Sequence, residues 1–502
     1  MNLETLQSRI ATVSDLLCTL NLLVWDSRTM MPAGSTDSRG HQITTLTRLA
    51  RDTLAADATL SALDGAEREV APLPADSDAR EALRQVRHAV ETHRRIPPQL
   101  IERRAALRAV SNAAWAEARA KSDFAIFQPF LAKTIDAARD YAGALGWTAH
   151  PYDALIGLYE PGETCASLQR LFGELRVGLA PILARAATRP KPTRDILHRH
   201  FPIAQQLQIA ARFSERFGYD PARGRLDTTI HPFEISFTRD DVRITTRCNP
   251  DFLRPALFGA FHETGHGLYE QNVDPAFTRT VFATDLVGLY AAGGTSFGAH
   301  ESQSRLWENH VGRSRRFWQL HFSELRAVFP AALGDADADA FYEAVTTVSP
   351  GLIRTDADEL TYDFHIMLRV ELEAALMAGD LKASDIPEVW NAGVKAHLGL
   401  DVPGDREGCL QDVHWSSGMI GSFCTYTIGN VMAAQLFATA SAAPGVASAL
   451  EHGDYAPLRD WLRQAVWQHG RRHSREALLQ RATGRGLEAG PYLAYLAAKY
   501  NE

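Results

Sequence analysis

Apolar residues in this chain recur at intervals of three and four, so most of it reads as helix. Helical periodicity runs near residues 3–25, 38–60, 79–95, 98–121, 125–145, 164–188, 202–217, 250–272, 300–325, 335–348, 357–379, 413–440, 454–467, 474–482 and 489–499. Breakers separate these runs, among them Met31-Pro32-Ala33-Gly34, Glu160-Pro161-Gly162 and Val402-Pro403-Gly404-Asp405. One stretch differs. From Gly224 to Arg247 the residues alternate and are rich in Thr, Ile and Phe, with Arg239-Asp240-Asp241 as a turn. That predicts a small antiparallel β-sheet feeding into helix 250–272. The fold class expected is mainly α. With no internal repeat, low-complexity tract or long linker, residues 1–502 are expected to form one unit.

The most specific chemistry lies inside helix 250–272. His262-Glu263-Thr264-Gly265-His266 puts two imidazoles four residues apart, with a carboxylate beside the first. Positions i and i+4 share a helix face, so His262 and His266 can converge on one metal ion. Glu263 can then reach a water at the same ion, the set that metal-assisted hydrolysis needs. The bland alternative is a histidine pair in a polar groove. Asn249-Pro250-Asp251 offers an N-cap and an early acid, although Pro255 is a second place for the regular helix to begin. Gly265 and Gly267 weaken a helix by about 1 kcal/mol each, which close packing against another backbone would explain.

A catalytic zinc site keeps three protein ligands and one open corner. Glu270 is set aside, because a helix rises about 12 Å between His262 and that residue. Asn272 stands where one zinc-peptidase class has a third histidine. Glu301, early in the next predicted helix, is the first choice for the third ligand. Glu308 is held in reserve and Asp285 is weaker.

The bulk numbers narrow the class only slightly. The chain has 502 residues, 45% hydrophobic and 22% charged, with a net charge of −8. No basic block suggests a nucleic-acid partner, and no run of 18 apolar residues suggests a membrane span. The N-terminus lacks the basic flank of a signal peptide. Five scattered cysteines argue against a disulfide framework, so a cytoplasmic location is expected.

Six motifs in order resemble the carboxypeptidase Taq family of metallocarboxypeptidases. They are His231-Pro232-Phe233, Asp241-Val242-Arg243-Ile244-Thr245, His262-Glu263-Thr264-Gly265-His266, His300-Glu301-Ser302-Gln303, Ile353-Arg354-Thr355-Asp356-Ala357-Asp358 and Gly408-Cys409-Leu410-Gln411-Asp412-Val413-His414-Trp415. The resemblance implies a multi-helix, saddle-like zinc-peptidase fold with a deep groove, and a homodimer. Residues 1–200 would form a groove wall or lid, and residues 224–440 the metal and substrate site. It implies removal of single C-terminal residues from peptides, with broad side-chain tolerance. The metal implied is Zn2+, with Co2+ as a substitute, held by His262, His266 and Glu301 with Glu263 as general base.

Two departures stand out from the family pattern. The interval from His266 to Glu301 is longer, with the extra residues expected within 279–296 as a flap or altered groove edge. Ser422 and Cys424 replace a common aromatic and proline. For the developing oxyanion, Tyr426 and His414 are the candidate donors, each also readable as a buried core residue. A carboxypeptidase must also recognise a free α-carboxylate, which arginine suits through its bidentate fork. Arg354 is the first candidate, Arg243 the second, and His231 a pocket residue; the bland role for Arg354 is an ion pair with Asp356, Asp358 or Glu359. The competing functions are a dipeptidyl carboxypeptidase, an oligoendopeptidase, and a non-enzyme in which metal only ties helices together.

Overall fold

The computed structural model describes residues 2–189, 192 and 194–500. The chain packs as two compact units, each assembled from three stretches: residues 1–93, 191–346 and 432–487, and residues 94–190, 347–431 and 488–502.

The first unit opens with helices α1 (Asn2–Thr29), α2 (Thr36–Ala55) and α3 (Asp57–Val70). By length and mean hydropathy α1 could cross a bilayer, but its stripe of Leu6, Ile10, Val13 and Leu17 is buried in a core shared with α2 and α3. The predicted helix 38–60 breaks at Ala56, whose extended backbone separates α2 from α3. After α4 (Ile203–Phe217) come strands β1 (Gly224–Thr228), β2 (Glu234–Thr238) and β3 (Asp241–Thr246).

The sheet corrects the antiparallel expectation. Its order is β1-β3-β2, with β2 antiparallel to β3 but β1 parallel to it. Residues 239–240 turn a hairpin between β2 and β3. Residues 229–233, containing Pro232, carry the chain from β1 across to the far edge, and a proline has no N–H for a ladder there.

Helix α5 (Arg254–Gln271) begins with Pro255 in its first turn, as the fixed φ of proline favours. The expected cap at Asn249 instead closes a local turn, its Oδ1 accepting from the Asp251 N–H at 3.0 Å. Nearly all of α5 is buried, against β3 on one flank and α6 (Phe297–Arg305) on another. Gly265 makes the second contact possible: a β-carbon there would lie 2.5 Å from Ser304 Cα and 2.6 Å from the Gln303 carbonyl carbon. The predicted helix 300–325 is not continuous. Ser296 caps α6, accepting from Ala299 N–H at 3.0 Å; Leu306–Val311 then widens to a π-helical turn, and a new helix starts at Arg315.

In the second unit, the predicted helix 413–440 starts only at Cys424, and residues 413–423 form turns. Gly421 supplies a positive φ of 96° within them. Ser422 and Cys424 make local bonds, to the carbonyls of Met419 and Gly421 respectively.

Candidate active site

Helix α5 presents His262 and His266 on one face, and α6 brings Glu301 to them. Glu301 Oε2 lies 3.4 Å from His262 Nε2 and 3.3 Å from His266 Nε2. Ligand atoms about 2.0–2.1 Å from a tetrahedral ion stand roughly 3.3–3.4 Å apart, so both Glu301 contacts have the spacing of ligands that share one divalent cation. The other Glu301 oxygen accepts from Arg305 Nε at 2.7 Å, which fixes the carboxylate plane. Glu263, His262 and His266 also offer ligand atoms within 4.8 Å of one another, so Glu263 borders the same space.

Charge tells the same story. Burial would drive the Glu301 carboxyl up, yet Arg305 and His262 outweigh it and hold it well below the ordinary carboxylate value. Burial, helped by the neighbouring His300 and His262 and opposed by Glu301, pushes His266 down to about 3, leaving a neutral imidazole able to offer a lone pair. His262 also suffers burial, but Glu301 and Glu308 raise it to about 10. A cation at Nε2 would take the place of that proton. Burial lifts Glu263 to about 7, so its carboxylate exchanges a proton near neutrality.

Each imidazole is held from behind. His262 Nδ1 contacts Glu308 Oε2 at 3.0 Å. Glu308, the reserve ligand, therefore lies on the wrong nitrogen to share the cation. The π-helical turn carries it there, and Arg313 Nη2 donates to its other oxygen at 2.7 Å. His266 Nδ1 contacts His300 Nδ1 at 2.5 Å, and His300 Nε2 contacts Glu270 Oε1 at 2.8 Å. Residue spacing does not reveal either link; the one signal in the chain is that His300 stands beside Glu301. Asp285, the weaker ligand candidate, accepts from Val287 and Gly288 N–H groups and pairs with Arg471 at 3.3 Å. It stabilises a loop.

That loop is the longer segment 279–296, and it is a strut. Val281, Phe282 and Leu286 are buried in the α1–α3 core. Arg279 forks onto Asp15 at 2.9 and 2.7 Å, and Asn21 donates to the Ala291 carbonyl at 3.2 Å.

The remaining candidates divide between the units. Arg243, on β3, forks onto Asp241 at 2.9 Å twice and lies over the rings of Trp25 and Phe237. His231 is exposed in the 229–233 connection. In the second unit Arg354 is buried, with Nε and Nη2 donating to Asp412 Oδ1 at 3.0 and 2.8 Å and Nη1 to Tyr362 OH at 3.0 Å. Asp412, not Asp356, Asp358 or Glu359, is its ionic partner, and Arg369 shares that carboxylate through Nε at 2.6 Å. Two guanidiniums on one carboxylate leave a local positive charge. His414 Nε2 lies 3.2 Å from Tyr426 OH, and Arg354 lies 5.1 Å from the Tyr426 ring. Burial pushes His414 down to about 4, with Asp412 opposing and both arginines assisting, so it is neutral at pH 7.

Comparison with known proteins identifies the family. The profile of the family described as Carboxypeptidase Taq (M32) metallopeptidase matches residues 5–500. Thermostable carboxypeptidase 1 of Thermus thermophilus is 39% identical over 493 residues, covering 95% of this chain and 94% of that protein. Carboxypeptidase 1 of Bacillus subtilis is 35% identical over 482 residues, covering 96% and 94%. The crystal structure of M32 carboxypeptidase from Deinococcus radiodurans superposes with a TM-score of 0.94 at 39% identity, covering 100% of this chain and 99% of that one.

Proposed function

This chain belongs to the carboxypeptidase Taq (M32) metallopeptidase family, and from that premise we propose how its own residues divide the labour. It is a metal-dependent carboxypeptidase that acts on peptides. His262, His266 and Glu301 hold the cation. The observation that carries this assignment is the convergence of both Nε2 atoms within 3.4 Å of Glu301 Oε2. Two nitrogen donors and one carboxylate suit Zn2+ first, with Co2+ as a substitute.

When bound, the cation supplies Lewis acidity, polarising the scissile carbonyl and lowering the pKa of water. Glu263 takes a proton from the attacking water at its carboxylate and passes it to the leaving amine nitrogen. Tyr426 is the donor to the developing oxyanion. His414 Nε2, 3.2 Å from the phenol oxygen, positions the Tyr426 hydroxyl for that role.

Arg354 docks the substrate α-carboxylate. Of its five N–H donors, Asp412 takes the Nε and one Nη2 proton and Tyr362 one from Nη1. One proton on each terminal nitrogen remains for a bidentate pair. Arg243 is the weaker choice, because its fork is already on Asp241, and His231 contributes to the pocket edge. The five cysteines are all free thiols, which favours a cytoplasmic setting. A homodimer is the assembly to test by sedimentation.

The decisive experiment is mass spectrometry of peptide digests with zinc, cobalt or chelator. The expected result is a ladder shortened by single residues from the C-terminus, abolished by chelator and absent for C-amidated peptides. Dipeptide steps would overturn release of single residues, and efficient cleavage of amidated peptides would overturn the assignment of Arg354.

A further inference from the structure

The cation site has a second layer that reaches into the 279–296 segment. His266 faces Glu301 through Nε2 and His300 through Nδ1. His300 spans from Nδ1 at 2.5 Å to Glu270 Oε1 at 2.8 Å on Nε2. Glu270 in turn accepts from the backbone N–H of Gly293 at 2.9 Å to each oxygen and of Gly294 at 3.2 Å, and from Ser236 Oγ at 3.3 Å. Glu270 and Ser236 are buried, and the His300 ring stacks on Tyr269 with centroids 5.3 Å apart.

Only one distribution of protons satisfies this row when His266 offers Nε2 to a cation. A neutral imidazole carries one donor and one acceptor nitrogen. A lone pair at His266 Nε2 puts the proton on Nδ1, where it is donated to His300 Nδ1. The His300 proton then sits on Nε2 and is donated to Glu270. Glu270 stays ionised and accepts the two peptide N–H groups. Every donor meets an acceptor, and reversing any one step sets two donors or two lone pairs face to face. This assignment follows from the hydrogen-bond network as a whole.

We propose that His300 and Glu270 are positioning residues, which lock the tautomer and orientation of His266 for the cation and tie its affinity to the amides of Gly293 and Gly294. The inference rests on the reading of His266 as a ligand. It also gives the 279–296 segment a task. Both glycines are needed where they stand: a β-carbon on Gly293 would lie 2.6 Å from Val273 Cγ2, and one on Gly294 would strike the His300 ring. The segment is anchored beyond the relay as well, by Arg471, which donates to the Gly294 carbonyl. A carboxylate–imidazole partner behind a metal-binding histidine is worth about 10–100-fold in metal affinity.

The test is zinc affinity of the full chain, measured by competition with a chromophoric chelator, for the wild type and for His266→Ala, Glu270→Gln and His300→Phe. Glu270→Gln keeps the shape but must turn one N–H against an existing donor; His300→Phe keeps the stack on Tyr269 and removes both nitrogens. The expected result is about 10–100-fold weaker zinc binding in both relay variants, with the thermal unfolding of the metal-free protein close to wild type for Glu270→Gln. Wild-type affinity in Glu270→Gln, with His266→Ala impaired, would overturn the relay and leave the ligand assignment standing. Wild-type affinity in His266→Ala would overturn both. If His300→Phe does not fold, Glu270→Gln decides alone.

Discussion

Gly265 packs directly on the main chain of Gln303: a β-carbon on it would meet the Gln303 carbonyl, with Ser304 Cα at 2.5 Å. This contact sets the separation of α5 from α6, and therefore the distance from His262 and His266 to Glu301. Helix propensity alone favours alanine over glycine by about 1 kcal/mol. Overpacking against backbone opposes that by about 1–3 kcal/mol, and neither main chain can swing aside as a side chain would. Gly265→Ala is expected to lower the melting temperature and to weaken zinc binding at least tenfold. Gly267→Ala, which meets only the side chains of Tyr219 at 3.1 Å and Ile244 at 3.2 Å, is expected to do less. Equal effects of the two in parallel melts and chelator titrations would contradict this account.

Glu263 is assigned a proton, not a bond to the cation. Glu263→Gln keeps size and polarity and removes the base. Activity is expected to fall by roughly 10²–10⁴ in kcat, while zinc affinity stays within a few-fold of wild type. A variant that keeps a tenth of the wild-type kcat would rule out this role.

Cation removal bears on stability as well as on turnover. A ligand that binds only the folded chain stabilises it by about 4 kcal/mol at a thousand times its Kd. Chelator treatment is expected to lower the unfolding midpoint by several degrees, and added zinc to restore both midpoint and activity. In Glu301→Ala, zinc is expected to shift the midpoint little, because one of three ligands is gone. Calorimetry of both proteins with and without zinc checks this.

Much of the site is legible along the chain, and the rest is hidden for identifiable reasons. His262, Glu263 and His266 are visible because a helix turns any i, i+4 pair onto one face. Glu301 is reachable by asking where a third ligand could come from. Glu308 deceived, because the π-helical turn rotates it behind His262, and no periodic pattern encodes that extra residue. Helical rise sets Glu270 apart from His262, yet it reaches His266 through His300, 30 residues further on, by contacts that spacing along one helix does not reveal. Alternation predicted the strands but not their order, since a period of two is the same in parallel and antiparallel ladders. The partner of Arg354 is Asp412, 58 residues away, and no local rule selects it over the nearer acids.

Asp412 carries the last prediction. It lies between Arg354 and Arg369 with its side chain 11% exposed, accepting from Arg354 at 2.8 Å and Arg369 at 2.6 Å. Burial would raise its carboxyl, but the two guanidiniums outweigh it and hold it far below the ordinary aspartate value. A depressed folded-state pKa means that the unfolded chain binds the proton first. The stability this group contributes is complete above the unfolded value near 3.9 and is withdrawn as pH falls below it. Asp412→Asn leaves two buried cations without a counter-charge and is expected to cost about 3–5 kcal/mol at pH 7. The gap between variant and wild type is expected to narrow as pH drops from 5 to 3, because the unfolded wild-type chain takes up a proton at Asp412 there while the folded chain does not. Urea unfolding across that range measures the gap directly. A gap that stays constant, or widens in acid, would mean that the Asp412 charge does not hold the two arginines in place.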